Sequence, residues 1–175
     1  LGIDEQVYMD YEEKGENIPI SVIYDIANKY YQNNLLTKNG VDALEYLYNR
    51  GFTDETIKKF GVGLSTKNAV TDLLKAKNYD DDLLLKSGLS SSIEERIFDT
   101  FTNRIMFPLC DLEGKVVGFS GRIYKGEDAS KYVNSKESDI FKKGNFLPSD
   151  LSCFFRSLKN VIISSSVNWS LSMLP

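Results

Sequence analysis

Histidine is absent from the 175 residues. That excludes a histidine-based catalytic triad, a Cys–His nucleophile pair and any histidine-containing zinc site within the chain. Cysteine is nearly absent as well. Cys110 and Cys153 stand apart, without CxxC spacing, which fits a reducing cytosol and argues against a disulfide framework. No run of about 18 apolar residues occurs, so no membrane-spanning helix is expected. The opening "LGIDEQVYMDYEEKG" has neither a basic n-region nor an apolar h-region and does not read as a signal peptide; it also lacks an initiator Met, which suggests a fragment. Carboxylates run out at the other end. Residues 148–175 hold only Asp150, beside eight serines.

What remains is an ordinary globular composition, 42% hydrophobic and 26% charged, enough for one domain or two small ones. The net charge of −4 is unevenly spread. Residues 1–95 carry ten basic and seventeen acidic side chains, whereas residues 96–147 carry nine basic and seven acidic. Either an acidic helical part lies beside an average sheet, or a local cationic face is built to meet phosphate.

The first half has helical periodicity. In "IPISVIYDIANKYYQNNLL", Ile20, Ile23, Ala27, Tyr30 and Tyr31 recur at helical spacing behind Pro19. After a turn at "TKNG", "VDALEYLYNRG" sets Val41, Leu44, Leu47 and Tyr48 on one stripe, with Arg50 in the last turn and Gly51 as a cap. "FTDETIKKFG" reads as a short helix capped by Thr53, with Asp54 and Glu55 at its positive end and Lys58 and Lys59 at its negative end. "AVTDLLKAKN" and "DDDLLLKSG" are two more, the second opened by Asp80 and closed by Gly88. The period then changes. "RIMFPL" and "GKVVGFSGRIY" are strand-like, joined by a "DLEG" turn, and "KYVNS" is a short extended segment. Pro108 would interrupt a central ladder and is expected at a strand end or bulge. The fold class is therefore α+β, N-terminal helices followed by a small antiparallel sheet.

Three stretches, "ALEYLYNRGFTDETIKKFGVGLS", "NRIMFPLCDLEGKVVGFSGRIY" and "KYVNSKESDIFKKGNFL", together resemble the bacterial replicative DNA primases of the DnaG type. The likeness is to the N-terminal subdomain of the RNA-polymerase catalytic core and covers residues 20–147, in order. The resemblance implies an enzyme, a DNA-directed RNA polymerase that makes short RNA primers on a single-stranded DNA template. It also implies ribonucleotide substrates, a replicative helicase as partner and a cytoplasmic location. In the family a zinc-binding domain lies upstream and a Toprim site for Mg²⁺ or Mn²⁺ downstream. Residues 1–19 then read as a linker and residues 148–175 as a divergent or truncated start of the Toprim segment, where "NVIISSSVNW" offers serines in place of the family's Glu-Gly. Clustered carboxylates are what divalent-metal chemistry needs, and none is present there. No catalytic residue, metal ligand or cofactor is assigned within this chain, which by itself is expected to be inactive.

The resemblance also implies site residues. Arg104 matches the arginine before "MFP" and Arg122 the arginine after a "GFGG"-like turn. Lys131, Tyr132 and Asn134 match "KYxNS", and Lys143 matches the lysine of "FxKG". In the family these line a basic face toward template or incoming nucleotide. Lys59, in "KKFGVG", is a looser member. Arginine and lysine bind phosphodiester backbone without reading sequence, which suits an enzyme that accepts nearly any template. Tyr132 offers a stacking face or a hydroxyl donor, and Gly118 and Gly121 permit close approach or a bulge. Because one tight turn joins their strands, Arg104 and Arg122 are expected on one face, with Lys131 and Lys143 folding back over it. Three readings stay open: part of a primase, a non-catalytic single-stranded nucleic-acid-binding module derived from one, or an interaction domain with no nucleic acid.

Overall fold

The computed structural model describes residues 19–111, 113–126 and 130–136. The expected linker before Pro19, Lys143 and the serine-rich tail lie outside the described residues. Helix α1 (Ile20–Leu35) follows Pro19 and buries Ile23, Tyr24, Ile26, Ala27, Tyr31 and Leu35. A short 3₁₀ turn (Lys38–Gly40) leads into α2 (Val41–Asn49). Helix α3 (Asp54–Lys59) begins with the capping expected of Thr53. The Thr53 hydroxyl accepts from Thr56 N at 3.3 Å, and Thr53 N donates to the Thr56 hydroxyl at 2.7 Å. Helices α4 (Ala69–Ala76) and α5 (Asp81–Ser87) follow. The Asp80 carboxylate accepts from Leu83 N at 2.6 Å, and Gly88, at φ +70°, closes α5 in the left-handed region.

Six strands complete the described chain: β1 (Gly63–Ser65), β2 (Ser90–Ile93), β3 (Arg96–Asp99), β4 (Arg104–Cys110), β5 (Val116–Ile123) and β6 (Tyr132–Asn134). β1, β4, β5 and β6 form one antiparallel sheet in the order β1-β4-β5-β6, while β2 and β3 pair as a separate hairpin. The α+β expectation holds, and so does the antiparallel β4–β5 pair. Two elements before β4 go beyond the sequence reading. β1 hides in "GVGLS", too short to show an alternation, and "SSSIEERIFD" folds as the β2–β3 hairpin. Pro108 lies opposite Phe119, past the last β1 pairing of Gly63 with Met106 and next to a register shift at Leu109/Cys110. Among the described residues no second strand pairs with it there, so its missing N–H interrupts no further ladder.

Alternation in β4 divides the core. Met106 packs with Phe119 of β5 into the α1–α4–α5 side, where Tyr24 and Tyr31 meet the Phe119 ring edge-on at 5.7 and 5.3 Å between centroids. Ile105 and Phe107 pack on the other side with Ala43 and Leu47 of α2 and with Phe52 and Ile57. β1 lies so close to α1 that a Cβ at Gly63 would stand 2.5 Å from the Tyr31 carbonyl carbon. Only glycine fits there. The apolar stripe expected along α2 is corrected by the structure. Ala43 and Leu47 are buried, but Val41 and Tyr48 are 59% and 46% exposed. Tyr48 turns outward because its hydroxyl reaches the Asp54 carboxylate at 2.6 Å.

One carboxylate sits inside this core. Asp99, 3% exposed, accepts from Val70 N at 3.1 Å, from Thr71 N at 2.7 Å and from the Thr71 hydroxyl. It caps α4 from a distant strand, where the local cap residue Asn68 makes no side-chain bond. Burial pushes the Asp99 carboxyl above its ordinary value, and the donors from Thr71 and Val70 pull it back only in part. A carboxyl raised in the folded state contributes stability that is complete below its unfolded value and lost as pH rises through the folded one. The thermal midpoint of the chain is therefore expected to rise relative to that of Asp99→Asn as pH falls from 7 toward about 4. Paired melts across that window check this, and a gap moving the other way contradicts it.

Candidate nucleic-acid interface

Arg122 is the best-supported cation on the sheet. In β5 it lies opposite Ile105 of β4 and Tyr132 of β6, on the α2 side. Its Nε donates to the Tyr46 hydroxyl at 2.8 Å, and its Nη1 donates to the Tyr132 hydroxyl. The guanidinium carbon lies 5.6 Å from the Tyr46 ring centre and 4.9 Å from that of Tyr132. Two rings and two hydroxyls thus hold one flat cation. Burial alone would weaken the charge, but the tyrosine oxygens more than offset it, so the Arg122 pKa is raised above its ordinary value. Asn134, two residues beyond Tyr132 on the same face, accepts from the Ser120 hydroxyl at 2.7 Å.

The residues that motif reading missed come from α2 and its end. Tyr46 and Arg50 are spaced i, i+4, which brings the Arg50 guanidinium over the Tyr46 ring at 5.3 Å. By position alone Arg50 reads as a cation at a helix C-terminus. Its nearness to Arg122 depends on a contact between Tyr46 and Arg122, 76 residues apart in sequence. The i, i+4 Tyr–Arg pair in "EYLYNR" is the signal that could have found it.

The expectation of four cations on one face is corrected. Arg104 pairs with Ile123, so Arg122 sits one residue out of step and its side chain leaves the opposite face. Arg104 is no surface cation either. It is 7% exposed, and its Nη1 donates to the carbonyls of Gly121 at 3.2 Å and Ser130 at 2.9 Å. Burial lowers its pKa. Gly121 serves this packing rather than a ligand, because a Cβ there would meet the Phe101 ring at 2.8 Å and the Arg104 stem at 3.0 Å. The Lys131 carbonyl accepts from Ile123 N at 3.1 Å, so alternation sets this exposed lysine on the Arg104 side. Lys59 is exposed at the end of α3, 5.9 Å from the Phe60 ring centre. The structure therefore brings together Arg122, Tyr132 and Asn134 with Tyr46 and Arg50, and leaves Arg104, Lys131 and Lys59 outside that group. Lys143 lies outside the described residues.

Known proteins match this stretch of the chain. The family model for the DNA primase catalytic core, N-terminal domain, matches residues 30–148. A DNA primase of Staphylococcus epidermidis is 42% identical over 130 residues, 71% of this chain and 22% of the relative. One from Staphylococcus aureus strain COL is 38% identical over 161 residues, 84% of this chain and 27% of the relative. The chain thus spans about a quarter of the length of these curated relatives. Among solved structures, the RNA polymerase domain of Mycobacterium tuberculosis primase DnaG aligns with a TM-score of 0.67 at 30% identity, covering 71% of this chain and 41% of that one. A DnaG primase catalytic domain bound to single-stranded DNA aligns at 0.64 and 35% identity, covering 71% and 39%.

Arg104→Met keeps most of the stem and removes both carbonyl contacts. It is expected to lower folding stability by about 1–3 kcal/mol, because the two carbonyls lose a charged donor. Denaturant unfolding measures this. An unchanged midpoint would show that the guanidinium does not anchor the segment at Ser130.

Proposed function

Since this chain belongs to the family of the DNA primase catalytic core, N-terminal domain, we propose that it supplies a single-stranded DNA binding face to a primase, the enzyme that makes short RNA primers on a DNA template. The observation that carries this reading is the Arg122 guanidinium held between Tyr46 and Tyr132, with Arg50 on the same Tyr46 ring. Arginines beside aromatic faces suit a backbone of phosphates with unpaired bases, without reading sequence. One similar solved structure is a DnaG catalytic domain bound to single-stranded DNA, which supports the same partner. Ribonucleotides, a replicative helicase and a cytoplasmic location come with the role of the whole polymerase. No helix among the described residues is long and apolar enough to cross a membrane.

Among the described residues no group of three His, Cys, Asp or Glu side chains that could hold a metal ion occurs. A second reading, for the chain taken alone, is a single-stranded nucleic-acid-binding module without catalysis.

The role of the chain's own residues is electrostatic and geometric. Arg122 and Arg50 attract the strand, the tyrosines hold those cations and offer rings for stacking, and Asn134 extends the polar row along β6. Lys59 and Lys131 join as outlying cations that raise the local potential, and Lys143 lies outside the described residues. A salt titration of oligodeoxythymidine binding tests the proposal. Arg122→Ala is expected to weaken binding and to lower the slope of log K against log salt by about 0.7, one single-strand phosphate contact. Lys67→Ala, on an exposed loop before α4, leaves both nearly unchanged. Equal losses in the two variants would falsify the reading.

A further inference from the structure

Tyr46 touches both arginines of the interface. Its hydroxyl accepts the Arg122 Nε–H, and its ring carries Arg50 at 5.3 Å and Arg122 at 5.6 Å. Two guanidinium groups near one another repel. An aromatic ring attracts each through its negative face and so lets them share a small volume. The half-buried Tyr46 packs against the apolar cluster that holds Ile105 and Leu47, which fixes where the ring sits.

The bonding of Arg122 is selective. Of its five N–H groups, the Nε–H is given to Tyr46 and one Nη1–H to Tyr132. Among the described residues, no hydrogen bond is made by Nη2. The Nη2 N–H groups and the second Nη1 N–H remain to donate to a phosphate, which a guanidinium meets with a planar fork. An arginine on an open strand would lose rotamer freedom on meeting a ligand. Here the loss has already been taken by folding, because the stem is fixed by β5 and the head by two tyrosines.

We propose that Tyr46 is a positioning residue, which presets Arg122 and Arg50 for consecutive phosphates of a single strand and so raises affinity without itself supplying charge. This rests on the nucleic-acid reading of the same face. The preset fork lowers the ordering cost of binding.

A double-mutant cycle tests it, with the 175-residue chain and a fluorescein-labelled oligodeoxythymidine read by anisotropy. Tyr46→Phe keeps the ring under both arginines and removes the hydroxyl. It is expected to weaken binding about fivefold, the worth of one hydrogen bond, while the salt slope stays unchanged because both phosphate contacts still form. In an Arg122→Ala background the same substitution is expected to change affinity less than about twofold, because its effect runs through Arg122. A general structural role would instead lower the thermal midpoint and weaken both backgrounds equally. Equal losses in the two backgrounds, or a Tyr46→Phe chain that binds like the wild type while Arg122→Ala is weakened, overturn the positioning role and leave the interface standing. If Arg122→Ala itself binds like the wild type, the interface reading falls and the positioning role falls with it.

Discussion

The register of the β4–β5 pair governs the rest of the molecule. It sets Arg104 opposite Ile123 and Ile105 opposite Arg122, and so decides which side chains enter which layer. A slip of one residue would send Met106 toward α2 and Phe107 toward α1, reversing both halves of the core. On the other edge of β5, Ser135 bonds twice to Phe119: its N–H donates to the Phe119 carbonyl at 2.8 Å, and its hydroxyl accepts from the Phe119 N–H at 2.9 Å. The shift at Leu109/Cys110 ends the regular ladder beside Pro108. Gly121 leaves room for Phe101 and the Arg104 stem.

From that register the two arginines acquire opposite duties. Arg104 turns inward and ties the carbonyls of Gly121 and Ser130 together, which positions the approach to β6. Arg122 turns toward α2, where Ala43 and Leu47 seat the helix on Ile105 and Phe107. The same seating delivers Tyr46 and Arg50 to Arg122. The proposed interface therefore depends on apolar packing beneath it as much as on its own charges. The exposed ion pair of Lys125 with Asp42 joins the end of β5 to the start of α2 at the margin of this arrangement, where solvent screening leaves it a small effect.

Much of this is legible in the sequence, and the rest is hidden for physical reasons. Helices α1, α3 and α5 announce themselves through period, caps and charge placement, and Thr53, Asp80 and Gly88 perform as their residue types suggest. β4 and β5 are visible as β-branched and aromatic runs around a turn. β1 is three residues long and carries no alternation, so only its pairing with β4 reveals it. In α2 the apolar stripe misleads, since Val41 and Tyr48 are apolar in kind and exposed in fact. At the interface, family-like motifs point to Arg122, Tyr132 and Asn134 but do not carry their register, so Arg104 reads as one of them until the strands are paired. Tyr46 and Arg50 belong to another element, and no local pattern records a contact across 76 residues.

Ultraviolet cross-linking of the chain to oligodeoxythymidine, with the modified residues located by peptide mass spectrometry, addresses the central claim most directly. It reads where a bare strand lies without altering any residue. Adducts on Tyr132 and Tyr46 are the predicted result. Adducts confined to Phe98 and the α4–α5 surface, with both tyrosines unmodified, would contradict a strand lying over Arg122.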